Sequence, residues 1–136
     1  MSNADAKVIG NLTRDIEVRQ AGSTTVAEFS VAVNSKRGEV EEVSYFDVVT
    51  FGDLATNVSE SLHKGDRVVV VGRLRQERWE DKETGQNRSK VKIIADDVAP
   101  GLRFARAGVQ RNERSNGSGE APASASRSRA YEEEAF

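Results

Sequence analysis

The chain contains no cysteine. Disulfides, thiolate metal sites and thiol nucleophiles are therefore excluded, and the composition fits a reducing compartment. There is one histidine, His63, so a His-based catalytic triad and a His-rich metal site are excluded as well. Charge of one sign is not in excess: the formal net charge is −2. The tail from Gly108 carries 4 Lys/Arg and 5 Asp/Glu, so removing it uncovers no basic domain. Any argument for a polyanionic partner must rest on where the charges sit. No stretch approaches the length of a transmembrane helix, and the amino-terminal MSNADAK carries no apolar signal segment. The expectation is a soluble, cytoplasmic protein with no membrane partner. No phosphate-binding loop and no dinucleotide fingerprint occur. The carboxylate pairs Glu41/Glu42, Glu80/Asp81 and Asp96/Asp97 fall in loops or at strand ends, as solvated faces do. No enzyme, no cofactor and no metal is expected.

What is present is alternation. The stretch from Tyr45 to Trp79 reads as strand, short helix, strand. Tyr45, Asp47, Val49 and Phe51 take one face of the first strand, and Phe46, Val48 and Thr50 take the other. Gly52 breaks the strand, and Asp53 is expected to cap the helix. Leu54, Val58 and Leu62 give that helix one narrow apolar stripe, which suits a cover for something larger. Lys64-Gly65 is expected to stop it, with His63 complementing the dipole at its end. In the strand from Arg67 to Trp79, Arg73, Arg75, Glu77 and Trp79 share a face, while Gly72 eases curvature.

The flanking segments extend this order. Val8 to Val18 reads as one strand bent at Thr13–Asp15, and Thr24 to Asn34 as a second strand with Phe29 in the core. Ser35 to Glu42 reads as a polar loop that includes Lys36 and Arg37. Glu80 to Gln86 forms a hairpin tip, and Arg88 to Ile94 a fifth strand that ends at Asp96-Asp97. Leu102 to Ala107 reads as an edge strand or a frayed end. Five strands with one helix between the third and fourth describe an all-β OB-fold, a five-stranded Greek-key barrel closed at one end by the helix. A small β-sandwich is the competing architecture. The domain is expected over residues 1–107, a disordered linker over 108–130, and an acidic tip over 131–136.

The aromatics and cations carry the functional signal. Tyr45 and Phe51 either pack inside the barrel or present rings to solvent. Trp79 lies between Arg78 and Glu80 near a polar tip, with Arg73 and Arg75 behind it, where burial is hardest. A flat π surface beside cations is what base stacking needs. Arg78, Arg88, Lys90 and Lys92 add positive charge on both arms of the hairpin, and Lys36 and Arg37 add it in the loop after the second strand. The tip YEEEAF combines acidity with a terminal ring, as a docking peptide would.

These segments resemble the bacterial single-stranded DNA-binding protein family. The resemblance is carried by VIGNLTRDIEVR, AEFSVAVN, the Tyr45–Trp79 stretch and the basic return strand, in that order, from Lys7 to about Phe104, plus the tip. It implies an OB-fold homotetramer that wraps single-stranded DNA without sequence preference and protects it in replication, recombination and repair. It further implies no catalysis and a nucleoid-associated place in the cytoplasm. The family's stacking aromatics map onto Tyr45, Phe51 and Trp79, with Tyr45 where the family usually has tryptophan. A further family aromatic falls at Arg37. The tip Glu132, Glu133, Glu134 and Phe136 keeps the family's acidity and terminal ring for docking replication and repair proteins, but lacks its isoleucine and proline. With a linker short for the family, these departures point to an auxiliary, plasmid or phage version. The rival functions are a protein-interaction adaptor of the replication machinery with weak DNA affinity, and a hydrolase or nuclease on an OB barrel.

Overall fold

The structure is a computed structural model and describes residues 2–113. The expected tip residues Glu132, Glu133, Glu134 and Phe136 lie outside them. Six strands and one helix follow in the order β1 (Asp5–Leu12), β2 (Glu17–Ala21), β3 (Thr24–Arg37), β4 (Val40–Phe51), α1 (Asp53–Ser61), β5 (Arg67–Glu80) and β6 (Asn87–Pro100). They form one sheet in the order β1-β5-β6-β4-β3-β2, and an additional β1–β3 pairing closes it into a barrel. All pairings are antiparallel except β4 with β6. The described residues divide into a compact unit that ends at Arg106 and residues 107–113, which contain no helix or strand. Among the described residues, no helix is long and apolar enough to cross a membrane.

The expected bent first strand is divided into β1 and β2. β1 pairs with β5 from Asp5 to Asn11, and its last two residues, Asn11 and Leu12, also face Ala32 and Val31 of β3. β2 then continues along β3. The break lets one segment pass from one neighbour to another. It is held by Asp15, whose carboxylate accepts the Lys64 backbone N–H at 2.9 Å. The Gly65 N–H donates to the Leu12 carbonyl at 2.9 Å, tying the turn after the helix to the same corner.

The core follows the period-2 alternation. Val8, Leu12, Phe29, Val31, Val48, Val68, Val70 and Ile93 point inward and form one cluster. Thr50, fully buried, donates its hydroxyl to the Ala27 carbonyl at 2.9 Å, so its oxygen is not left without a partner. The helix stripe is present: Val58 and Leu62 join the cluster and Leu54 packs against it. The helix covers one end of the barrel through β2, β3, β4 and β6. Its ends differ from expectation. Gly52, at φ 69°, is the residue before the first turn, and no side chain caps the helix. Asp53 falls within the first turn, where its charge complements the helix dipole. The helix ends at Ser61, with Leu62 extended, because Leu62 turns into the core. His63 therefore lies past the helix, and its backbone N–H donates to the Asp66 carboxylate at 2.8 Å.

Three other boundaries move. Lys36 and Arg37 belong to β3, and the turn between β3 and β4 is confined to Gly38 and Glu39. β6 runs past Asp96-Asp97 to Pro100, because a bulge absorbs Asp96: Val71 faces Asp97 while Gly72 faces Ala95. Leu102 to Ala107 forms no strand. At the bulge, a Cβ on Gly72 would collide with the Ile94 carbonyl oxygen and approach the Ala95 Cα to 2.8 Å. Glycine is needed there for the two backbones to meet. Gly72→Ala should lower stability by about 1–3 kcal/mol, the usual range for overpacking. Urea unfolding checks this: the midpoint should fall, and a midpoint equal to that of the parent chain contradicts the close approach.

Candidate nucleic-acid interface

Residues facing each other across an antiparallel ladder share one side of the sheet. Tyr45 faces Ala32, Asp47 faces Ser30, Val49 faces Glu28 and Phe51 faces Val26. On the long β5–β6 ribbon, Trp79 faces Arg88, Glu77 faces Lys90, Arg75 faces Lys92 and Arg73 faces Ile94. The parallel pairing of Val49 with Ile94 aligns these two sets. Val26, Val49 and Ile94 form a second small apolar cluster, separate from the barrel core. They floor the outer surface of the sheet. Tyr45, Phe51, Trp79, Arg73, Arg75, Arg88, Lys90 and Lys92 therefore share that outer surface.

The three rings are open. Tyr45 is 68 % exposed, Trp79 46 % and Phe51 43 %. Packing inside the barrel is ruled out by strand parity: Phe46, Val48 and Thr50 take the inward positions of β4, and Val68 and Val70 take those of β5, out of phase with Trp79. Tyr45 and Phe51 lie six positions apart, so about 20 Å of strand separates them. Trp79 stands near the end of the ribbon. A row of open rings at such spacing, with cations between, can stack flat heterocycles and neutralise a chain of anions.

Two of the expected cations are on the wrong side. Arg78 faces Ser89 and points to the side opposite Trp79, where it donates to the Gln76 side-chain carbonyl at 3.3 Å. There it lines a concavity with Gln76, Glu80, Asn87 and Ser89, whose edge Trp79 and Arg88 also reach. Arg37 faces Val40, one position out of phase with Lys36, which shares the Tyr45 side. In a strand, adjacent residues cannot both serve one face.

The cations that do share the face are largely paired. Lys90 Nζ lies 2.6 Å from Asp47 Oδ2. Lys92 Nζ lies 3.3 Å from Glu77 Oε1 and 3.8 Å from Glu28 Oε1, and Arg19 Nη2 meets the other Glu28 oxygen at 2.8 Å. Arg88 pairs with Asp81 at 3.0 Å and Arg73 with Asp96 at 3.6 Å. Among the described residues, Lys36 and Arg75 form no ion pair. The Asp47 carboxylate accepts a hydrogen bond from the Lys90 ammonium and attracts its charge, and this raises the lysine above its ordinary value. Glu28, Asp47 and Glu77 are the residues whose part in the site sequence reasoning passed over. The parity of Asp47 with Tyr45 was visible, but its pairing with Lys90 depends on the β4–β6 contact. Phe104, also passed over, is exposed at the other end of β5, with the guanidinium groups of Arg67 and Arg103 each 5.4 Å from its ring centre.

Residues 5–100 match the model of the Single-strand binding protein family. The chain is 44 % identical to the Single-stranded DNA-binding protein of Treponema pallidum over 96 residues, 67 % of this chain and 53 % of that one. It is 38 % identical to the protein of that name from Paenarthrobacter aurescens over 120 residues, 82 % of this chain and 70 % of that one. With the Mycobacterium tuberculosis protein the identity is 38 % over 133 residues, 90 % of this chain and 80 % of that one. The chain thus spans about half the length of the Treponema relative and most of the other two. Among solved structures it is similar to the small single-stranded DNA-binding protein from Streptomyces coelicolor, with a TM-score of 0.65 and 28 % identity over 75 % of this chain and 97 % of that one.

The Lys90–Asp47 pair makes a prediction of its own. A raised lysine pKa means that the pair's stabilisation is complete below the ordinary lysine range and fades only as pH rises through the raised value. In an NMR titration of the lysine side chains, Lys90 should titrate above the ordinary lysine range and return toward it in Asp47→Asn. An ordinary Lys90 titration in the parent chain contradicts the pairing.

Proposed function

Because the chain belongs to the single-strand binding protein family, we infer that it binds single-stranded DNA without sequence preference. The observation that carries this reading is the set of three open rings, Tyr45, Phe51 and Trp79, on one sheet face interleaved with cations. Bases stack on the rings, which accept any base because every base has a π face. Lys36, Arg73, Arg75 and Arg88 neutralise phosphates, with Lys90 beside them on the same face against Asp47, and affinity falls as salt rises because that neutralisation releases counterions. Arg37 and Arg78, on the opposite side of their strands, stand outside this phosphate set. The protein works without catalysis, in the cytoplasm and on the nucleoid, protecting exposed strands during replication, recombination and repair.

It acts as a homotetramer. Two features support association: Ile9 and Val71 are exposed on the outer side of β1 and β5, and from Asp5 to Gly10 β1 pairs with β5 alone. Glu132, Glu133, Glu134 and Phe136 form the tip that docks replication and repair proteins. The second reading, a protein-interaction adaptor with weak DNA affinity, is favoured by the ion pairs that already occupy Arg73, Arg88, Lys90 and Lys92.

Titration with oligo-dT separates the two readings. Trp79 is the only tryptophan, so quenching of the protein's indole fluorescence reports on this site alone. Saturable quenching is expected, and Trp79→Ala should weaken binding, measured by filter retention, by about 1–3 kcal/mol. Unchanged affinity in that variant removes Trp79 from the site. No binding by the parent chain at low salt rejects the DNA reading in favour of the adaptor.

A further inference from the structure

We propose that Asp47 is a positioning residue that limits the grip of this face on single-stranded nucleic acid by holding Lys90 away from phosphate. This rests on the DNA-binding reading above. Asp47 lies between Tyr45 and Val49 on the outer side of β4, in the middle of the row of rings. Its Oδ2 lies 2.6 Å from Lys90 Nζ, the shortest ion pair on the face. The side chains are half-exposed, with Asp47 34 % and Lys90 49 % open, so both the carboxylate and the ammonium stand where a strand would lie. Glu28 and Glu77 do the same to Lys92, which is only 18 % exposed.

A phosphate that takes Lys90 must first displace a carboxylate already in hydrogen-bonding contact with it. The same carboxylate also repels the incoming phosphate, since both lie well within one screening length at physiological salt. A cation that stays with its carboxylate neutralises no phosphate and releases no counterion. The face should therefore show a salt dependence shallower than its number of cations implies. Such a face still binds through ring stacking, which salt affects little, and it releases its strand readily.

The test measures oligo-dT affinity of the full chain across a salt series for the parent, Asp47→Asn, Lys90→Gln and the double variant. Asparagine keeps the size of the side chain and can still accept a hydrogen bond, so the fold is retained; a thermal melt checks this. Asp47→Asn should tighten binding on the order of fivefold near 0.1 M salt, the scale of an exposed ion pair. It should also steepen the slope of log K against log salt by roughly 0.7, the value for one added phosphate contact on a single strand. A merely structural Asp47 would not move that slope. In the Lys90→Gln background, Asp47→Asn should leave the slope unchanged, because no cation is released to reach phosphate. Glu77→Gln, acting on Lys92, gives a second variant with the same expected direction should Asp47→Asn destabilise the fold. Binding by the parent chain with no gain in either folded variant, or a steeper slope that persists without Lys90, overturns this inference alone. Failure of the parent chain to bind overturns the DNA-binding reading and this inference with it.

Discussion

Val48 faces Ile93 and Val49 faces Ile94 where β4 runs parallel to β6, and this short contact sets the geometry of everything around it. One member of each strand points inward: Val48 and Ile93 are almost fully buried in the barrel core, where each contributes about 1.5–3 kcal/mol by leaving water. The other members, Val49 and Ile94, point outward and close over Val26. The same two steps thus build the core on one side and the floor of the candidate interface on the other. Just before the contact, on the outer side, Asp47 of β4 meets Lys90 of β6, and Lys92 reaches Glu28 and Glu77. A one-residue slip would turn every one of these side chains to the opposite face.

Seen from that contact, the interface is a by-product of a well-specified barrel. The rings need no special support, because strand parity already forbids them the interior. Tyr45 and Phe51 are carried by β4 and Trp79 by the ribbon of β5 and β6, and the close approach at Gly72 fixes how that ribbon leaves the barrel. The near-neutral charge of the whole chain has a local counterpart here. The carboxylates are interleaved with the cations on the face itself: Glu28 and Glu77 about Lys92, Asp47 against Lys90. Stacking then weighs more in the grip, and long-range attraction weighs less, than the number of basic residues suggests.

Much of this was legible along the chain. The alternation of Phe29, Val31 and Val33 identified the inward face of β3, the two faces of β4 were told apart without deciding which is inward, and Leu54, Val58 and Leu62 identified the covering helix. The order of elements pointed to the OB-fold, and the exposure of Trp79 followed from its polar surroundings. Less legible were features set by partners far away in sequence. The first strand divides because it changes neighbours at Leu12, and β6 outruns Asp96-Asp97 because a bulge opposite Gly72 absorbs Asp96. Gly52 rather than Asp53 precedes the helix, because the chain must turn there at positive φ. Arg78 and Arg37 were counted with neighbours one position away, although parity sends them to the other side. The pairing of Lys90 with Asp47 could not be read locally, since it exists only once β4 and β6 meet.

The central claim is that an unpaired strand lies along the outer side of β3, β4, β5 and β6. Backbone amide and indole NMR shifts of the chain, followed during titration with oligo-dT, test it most directly. The account predicts that the Trp79 indole and the amides around Tyr45, Asp47, Phe51, Arg75 and Arg88 move together, while those around Ile9 and Val71 stay still. Shifts concentrated at Ile9 and Val71, with the Trp79 indole unmoved, would contradict it.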